Sequence, residues 1–590
     1  MCGILGYVGS RNKGVEFVLN GLEHLEYRGY DSAGIAFVQN SKLNIVKKIG
    51  RIANLKKGVD GKYESSLAIG HTRWATHGSV NKNNAHPHHV GKITIVHNGI
   101  IENYETLKKE LVKDGYIFNS ETDSEVACAL LDYLYKKNNN INKSIEEFEE
   151  RVKGAYALGI IVDGDNKLYA VKKSSPLIIG LGENENFIAS DVPAIVDYTN
   201  KYIILEDGDF ACIDDKDILI YSSMNEKVSR KTRIFEGDAL SVSKCGYDHF
   251  MQKEIYEEPE VIKKTADVVI PDLSKYKRIC IVACGSAMHA GLVGKNLIEK
   301  YGNIPVDVEI ASEFRYKRLF LDVKTLVIAI SQSGETADTL EAVKIAKRMG
   351  AYTLGIINVK ESSIARETDD VVYTSAGSEI AVATTKAYCA QVEILSKIAY
   401  TLALKGNKLK EIDSYLDDLK SLPVIMQEVL NDDKTYKKIA RGIYKHKDIF
   451  FIGRGVDYAL AMEGSLKLKE ISYLHSEAYA AGELKHGTIS LVEKDTPVVG
   501  IASDEVIADK TISNLKEVVS RGANVLYITS EGLDCTGDFY NMKIVLPKVN
   551  PLLQPLIDII PLQLIAYYVA KYNKCDIDKP RNLAKSVTVE

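Results

Sequence analysis

The sequence has no apolar run long enough to cross a bilayer, no C-x-x-C pair, and no marked excess of either charge. The longest apolar stretch, from Pro555 to Ala570, is broken by Asp558, Pro561 and Gln563 and falls short of the ~20 residues a spanning helix needs. It is read as a buried helix. Nine cysteines scattered over 590 residues suit reduced thiols rather than a disulfide framework. The opening MCGILGYVGS lacks the basic run and the long apolar stretch of an export signal, so a cytoplasmic location is expected. With 75 basic and 80 acidic residues spread along the chain, neither a nucleic-acid partner nor a membrane partner is expected. There is no G-x-x-x-x-G-K-[ST] loop and no Ser-Gly-Gly-x-Asp-Ser segment, which leaves nucleotide activation without a seat. His86-Pro87-His88-His89 has no companion ligands at finger-like spacing. It is read as a polar loop, and no metal and no cofactor are expected.

What is present is apolar material, 45% of the residues, enough for about three to four domains. Runs such as Leu67-Ala68-Ile69-Gly70 and Ile93-Thr94-Ile95-Val96 are strand-like, each closed by Gly or Asn-Gly, with helical stretches after them. Strands become dense from about Tyr156 to Leu240, and Glu257-Glu258-Pro259-Glu260 marks a polar break, placing the main boundary near Gly246. Beyond it the pattern repeats. Ile281-Val282-Ala283-Cys284-Gly285 is echoed by Phe451-Ile452-Gly453-Arg454-Gly455 about 170 residues on, which predicts duplicated domains. Leu326 to Ile330 is matched to Val498 to Ala502, and Arg348-Met349-Gly350-Ala351 to Ser520-Arg521-Gly522-Ala523. Uninterrupted apolar strands between amphipathic helices predict parallel sheets covered on both faces, an α/β multidomain chain.

Once the initiator methionine is trimmed, Cys2 carries its thiol beside a free α-amine. Such an amine has an ordinary pKa of ~7.7–8.0 and can take the thiol's proton directly or through water. Three further segments stand in order behind it: Leu25-Glu26-Tyr27-Arg28-Gly29-Tyr30-Asp31-Ser32-Ala33-Gly34, His71-Thr72-Arg73-Trp74-Ala75-Thr76-His77-Gly78 and His97-Asn98-Gly99. Together with Cys2-Gly3-Ile4-Leu5-Gly6 they resemble the N-terminal-nucleophile glutamine amidotransferases. The resemblance implies an αββα glutaminase domain in which Cys2 is the nucleophile and Asn98 and Gly99 are the oxyanion donors. Arg73 would clamp the glutamine α-carboxylate and Asp123 would hold its ammonium, with Trp74, Thr76 and His77 lining the glutamine site. Singly, each residue has an ordinary alternative. Asn98-Gly99 is a common turn dipeptide, Thr122-Asp123-Ser124-Glu125 a plausible helix start, and Arg73 a possible surface charge.

In the second half, Thr325 to Ile330 reads as a buried strand and Ser331-Gln332-Ser333-Gly334-Glu335-Thr336 as a small polar turn. Ala342, Val343, Ala346 and Met349 form one face of the helix after it. Hydroxyls and free N–H groups at a helix start, beyond the end of a parallel strand, suit a phosphate. The order Cys284-Gly285-Ser286 then Ser331-Gln332-Ser333-Gly334-Glu335-Thr336, duplicated downstream, is similar to the sugar isomerase domain family. The fusion of that pair to the amidotransferase half resembles the glutamine:fructose-6-phosphate aminotransferase family, also called glucosamine-6-phosphate synthases.

That resemblance covers essentially the whole chain and implies a division into residues 2–217 (glutamine amidotransferase type 2 domain), 218–269 (end of that domain and linker), 270–409 and 439–580 (sugar isomerase domains), and 581–590 (tail). It implies glutamine and fructose 6-phosphate as substrates and a homodimer with a shared isomerase site. Ser331, Gln332, Ser333 and Thr336 would bind the sugar phosphate, with Ser286 and Thr384 lining the pocket. Ala287 stands where the family usually has a hydroxyl. His486 matches the ring-opening residue, contributed in the family by the neighbouring subunit. Glu470 matches the proton-shuttling carboxylate, with Lys467 one helical turn before it, and Lys585 the lysine that forms a Schiff base with the sugar. Without the resemblance, Glu463, Lys467 and Glu470 read as a solvated salt-bridge face and Lys585 as an exposed residue near a chain end. Ammonia released into water would be protonated and lost, so the two centres imply a closed passage; the family uses the tryptophan at the position of Trp74 as its gate. Two rival readings are an amidotransferase with another acceptor and a sugar-phosphate sensor without catalysis.

Overall fold

The computed structural model describes residues 2–59, 61, 63–235, 243–406 and 410–588. Met1, on whose removal the free α-amine of Cys2 depends, lies outside them, as do the last two residues of the tail and residues 236–240 at the end of the strand-dense region. The chain divides into two compact units, Met1–Leu240 with Ser586–Glu590, and Ser241–Lys585.

Among the described residues, the first unit is built on two antiparallel sheets of eight and seven strands. Side-chain alternation along Gly3–Gly9 shows how they are layered. Leu5 and Tyr7 join Phe17, Val18 and Leu22 of the Gly14–His24 helix. Ile4 and Val8 face the other way, into a core shared with Val96, Ala157 and Ile161 of the second sheet. The far side of that sheet, Ile93, Ile95, Leu158 and Ile160, packs on Leu130, Leu131 and Leu134 of the Asp123–Asn138 helix. The result is a helix–sheet–sheet–helix sandwich, the αββα arrangement expected.

Two local expectations are corrected in this unit. His88–Val90 is a strand, and His86 and His88 are buried rather than part of a polar loop. The rings of His71 and His86 stack with centroids 4.0 Å apart, and those of His86 and His88 meet edge-on at 4.8 Å. Asn98 and Gly99 lie within the Ile93–Ile101 strand, opposite Ala157 and Tyr156, rather than in a turn.

The second unit holds two five-stranded parallel sheets. Numbering the strands of each copy from its own start, both sheets run in the order 2-1-3-4-5, which bears out the duplication. Gly285 and Gly455 follow the first strands with φ of 56° and 58°, a conformation that glycine adopts without strain. Sheet register shifts the sequence match of the third strands by one residue. Val327 lies beside Cys280 and Val498 beside Phe450, so Val327 matches Val498. The Gln554–Tyr572 helix is buried along almost its whole length, and one hydrophobic core runs from Met251 to Ile577 through both copies. Ala342, Val343 and Ala346 form the buried face of the Ala337–Arg348 helix; Met349 caps its end and is 39% exposed, outside that face.

Candidate active sites

In the first unit, Cys2 lies against the end of the Leu67–Arg73 strand. Its Sγ accepts a hydrogen bond from the Trp74 N–H at 3.2 Å and points its own proton at the Trp74 carbonyl at 3.4 Å. Burial pushes the thiol above its ordinary range, while the Trp74 N–H and the Arg73 charge act in the opposite direction. Asn98 donates one amide hydrogen to the Cys2 carbonyl at 2.9 Å and the other to Ser190 Oγ at 3.0 Å. Gly99 has φ of 123°, and a Cβ there would stand 2.0 Å from the Ala155 carbonyl, so only glycine fits.

Arg73 is buried, not a surface charge, and its guanidinium donates to the carbonyls of His77, Gly78 and Ser79. Asp123 is buried in the first turn of its helix and accepts from the Ile101 N–H at 2.8 Å; Thr122 caps that helix by accepting from Glu125 N. Thr76 is exposed, and half-buried His77 meets Tyr104 edge-on.

The second unit places the Ser331–Thr336 turn after its third strand, beside the Cys284-Gly285-Ser286 segment after its first. This is the switch point of a 2-1-3-4-5 sheet, where ligands of such folds bind. Ser331 Oγ accepts from Gly334 N at 3.0 Å and lies 3.3 Å from Thr336 Oγ1. Thr336 precedes the Ala337–Arg348 helix without a side-chain cap bond, so the helix start keeps donors for an anion. Gln332 and Ser333 are half-buried on the same turn.

A chain of polar contacts crosses from the first copy to the second. Glu463 accepts from Ser286 Oγ at 2.8 Å, pairs with His289 Nδ1 at 2.8 Å and lies 3.5 Å from Lys467 Nζ. Lys467 in turn reaches Glu470 at 2.6 Å. Glu463 and Lys467 each have 1% of the side chain exposed, which rules out the solvated-face alternative. Burial works against both charges, yet Glu470 and Glu463 hold the Lys467 pKa above its usual value, while Lys467 and His289 hold Glu463 below its own. Lys585 is likewise internal. Its Nζ meets Glu379 at 2.5 Å and Thr384 Oγ1 at 3.4 Å. Burial and the charge of Glu379 push nearby Glu254 up to about 8. His486 stands apart, exposed in a short helix, and has no hydrogen-bond or ion-pair partner among the described residues.

Comparison with known proteins accounts for this pairing of sites. Residues 71–197 match the glutamine amidotransferase domain family, and residues 272–399 and 442–571 match the SIS domain family. Proteins of Clostridium acetobutylicum and Aquifex aeolicus named glutamine–fructose-6-phosphate aminotransferase (isomerizing) are 47% and 44% identical, with 100% of both chains covered in each case. The chain belongs to the glutamine–fructose-6-phosphate aminotransferase (isomerizing) family. A solved C-terminal domain of glucosamine-fructose-6-phosphate aminotransferase from Francisella tularensis matches 57% of this chain and 100% of its own, with 40% identity and a TM-score of 0.55.

For a glutamine–fructose-6-phosphate aminotransferase, several residues that sequence reasoning passed over stand in the sites. His71 Nε2 lies 2.9 Å from the His97 carbonyl and 3.0 Å from Asn98 Oδ1. Both are acceptors, so Nε2 carries the proton and fixes which way the Asn98 amide faces. Burial lowers the His71 pKa to about 3, which keeps the ring neutral. Asp31, within the Leu25–Gly34 segment, accepts from the Ala75 N–H at 2.8 Å. Glu379 and His289 carry no local signal, and Glu463 stands four residues before Lys467, a spacing that by itself suggests only a salt-bridge face.

Proposed function

We propose that this chain converts D-fructose 6-phosphate and L-glutamine into D-glucosamine 6-phosphate and L-glutamate, the first step of amino-sugar precursor synthesis. The observation that carries the reading is Lys585, an amine held inside a sugar-isomerase fold against Glu379 and Thr384. A buried ion pair adds little to stability that an apolar pair would not, whereas an enclosed amine is what carbonyl chemistry requires.

In the glutaminase step, Arg73 and Asp123 hold the α-carboxylate and ammonium of glutamine, with Trp74, Thr76 and His77 around it. Cys2 attacks the side-chain amide, and Asn98 and Gly99 receive the oxyanion. Ammonia leaves and water cleaves the thioester to glutamate. Both Asn98 amide hydrogens are engaged in the free chain, so the oxyanion competes with Ser190 for one of them. In the isomerase step, Ser331, Gln332, Ser333 and Thr336 take the phosphate, with Ser286 and Thr384 beside the sugar. His486 of the partner subunit opens the ring, and Lys585 forms an imine at C2 with loss of water. Ammonia then displaces the lysine, and Glu470, its charge held by Lys467, moves a proton from C1 to C2 to give the aldose. Trp74 gates the ammonia.

The reading includes a cytoplasmic homodimer and the division of the chain into residues 2–217, 218–269, 270–409, 439–580 and 581–590. Its test is incubation of the Met-trimmed protein with glutamine, with and without fructose 6-phosphate, measuring glutamate and glucosamine 6-phosphate together. Equal yields, with glutamate rising when the sugar is added, support the coupled reaction. Glutamate without aminosugar indicates another acceptor, and neither product indicates a sensor.

A further inference from the structure

The two copies in the second unit share a topology, yet their switch points are furnished differently. The first copy ends its third strand in a turn rich in hydroxyls, and the helix after the third strand starts without a side-chain cap in both copies. In the second copy a carboxylate already occupies the first two N–H groups after that strand. Asp457 is fully buried; its Oδ1 accepts from Ser503 Oγ at 2.6 Å and its Oδ2 from Ser503 N at 3.0 Å and Asp504 N at 3.4 Å. Ser503 and Asp504 directly follow the third strand, Pro497–Ala502. Asp457 sits in the first turn of the Val456–Ser472 helix, where a helix favours negative charge.

Gly285 and Gly455, alike in position and in φ, bring the copies into register. Two residues beyond each stand Ala287 in the first copy and Asp457 in the second. One copy thus has a methyl group where the other has a carboxylate. Beside it stands a second buried carboxyl: Asp558 is 1% exposed, its Oδ2 has no hydrogen-bond partner among the described residues, and burial, followed by the charge of Asp457, raises its pKa.

We propose that Asp457 is a built-in ligand: its carboxylate fills in the second copy the anion cradle that the first copy keeps open for the sugar phosphate. The chain then has one sugar-phosphate site, and its second copy carries its own anion whenever Asp457 is ionised. This rests on reading the Ser331–Thr336 turn as the sugar-phosphate site. The helix that Asp457 anchors carries Glu463, Lys467 and Glu470 toward Ser286 and His289, so the internal anion also braces one wall of the first copy's site.

The test is to excise the carboxylate and offer it back as formate. With the first site saturated by fructose 6-phosphate, formate is titrated into full-length Asp457→Ala and the native protein while the melting temperature is followed. The variant is expected to melt lower and to recover by several degrees, saturably, while the native protein does not respond. A variant that melts like the native protein, or ignores formate, overturns the proposal. Should Asp457→Ala not fold, Asp457→Ser is titrated in the same way, and native crystals are soaked in inorganic phosphate. Phosphate on the Ser331–Thr336 turn alone is the expected result, and phosphate on the Ser503 and Asp504 N–H groups overturns it. Failure of the native protein to bind fructose 6-phosphate would instead count against the sugar-phosphate reading, without altering what formate does.

Discussion

Lys585 and Glu379 face each other across 2.5 Å inside the protein, with 4% of the lysine side chain and none of the glutamate's exposed. Burial alone would raise the Glu379 pKa, but Lys585 and the backbone donors around it hold the carboxyl below its usual range. The amine is therefore held in one place by a partner that cannot readily let it go.

Replacing Lys585 with Arg keeps the charge but removes the nucleophile. Glucosamine 6-phosphate formation is expected to fall below detection while glutamate still forms from glutamine. Chromatographic assay of both products on one sample checks the split.

Glu379→Gln strands the lysine charge in the interior. The loss of one partner of a buried pair costs about 3–5 kcal/mol, to be read from the denaturant midpoint of the second unit's transition. Synthase activity should drop with it, and glutaminase activity should not.

His71→Phe removes the donor that orients Asn98 without changing the flat shape of the ring. A lost or misaligned oxyanion donor costs about 10²–10³ in kcat. Glutamine hydrolysis should slow by that order with KM little changed. Alkylation of Cys2 by iodoacetamide, which needs no oxyanion donor, should proceed at the native rate.

A Cβ at Gly334 would fall 1.8 Å from Ser362 Oγ, on a residue whose φ is 65°. Gly334→Ala should therefore distort the phosphate turn. The expected result is a KM for fructose 6-phosphate raised at least about tenfold, a loss of about 1.4 kcal/mol of binding, with hydrolysis of glutamine alone unaffected.

Burial lifts Asp457 to about 6 and Asp558 to about 7, against about 3.9 for an unfolded aspartate. Between those values the folded chain holds protons that the unfolded chain has lost. The stability this pair contributes is complete below about pH 4 and disappears as pH rises through 6 to 7. Asp558→Asn cannot titrate, so its melting temperature should gain on the native one as pH rises from about 5 to 8. A gap that stays constant with pH would contradict the shift.

Much of the architecture was legible because it is periodic. Short apolar runs closed by glycine marked the strands Leu67–Arg73 and Ile93–Ile101, longer apolar runs marked the parallel sheets, and the echo at Gly285 and Gly455 marked the duplication. The candidate residues Cys2, Arg73, Asn98 and Ser331 stood in local motifs, and it was the family resemblance carried by those motifs that singled them out. The partners that govern them could not. Ser286 meets Glu463 across 177 positions and Lys585 meets Glu379 across 206, and contacts at such separation leave no local pattern. Asn98-Gly99 departs from the expected turn for a different reason. That dipeptide favours turns, but here it serves close backbone approach inside a strand, a role in which glycine is equally at home.

The core that runs unbroken from Met251 to Ile577 has a bearing on how the duplicated halves can change over time. Neither half can be discarded, because each supplies a wall against which the other folds. Selection for folding alone therefore preserves the second half, whatever happens at its own switch point. A half retained for its bulk is free to specialise, and this one lends its neighbour the Glu463–Lys467–Glu470 helix.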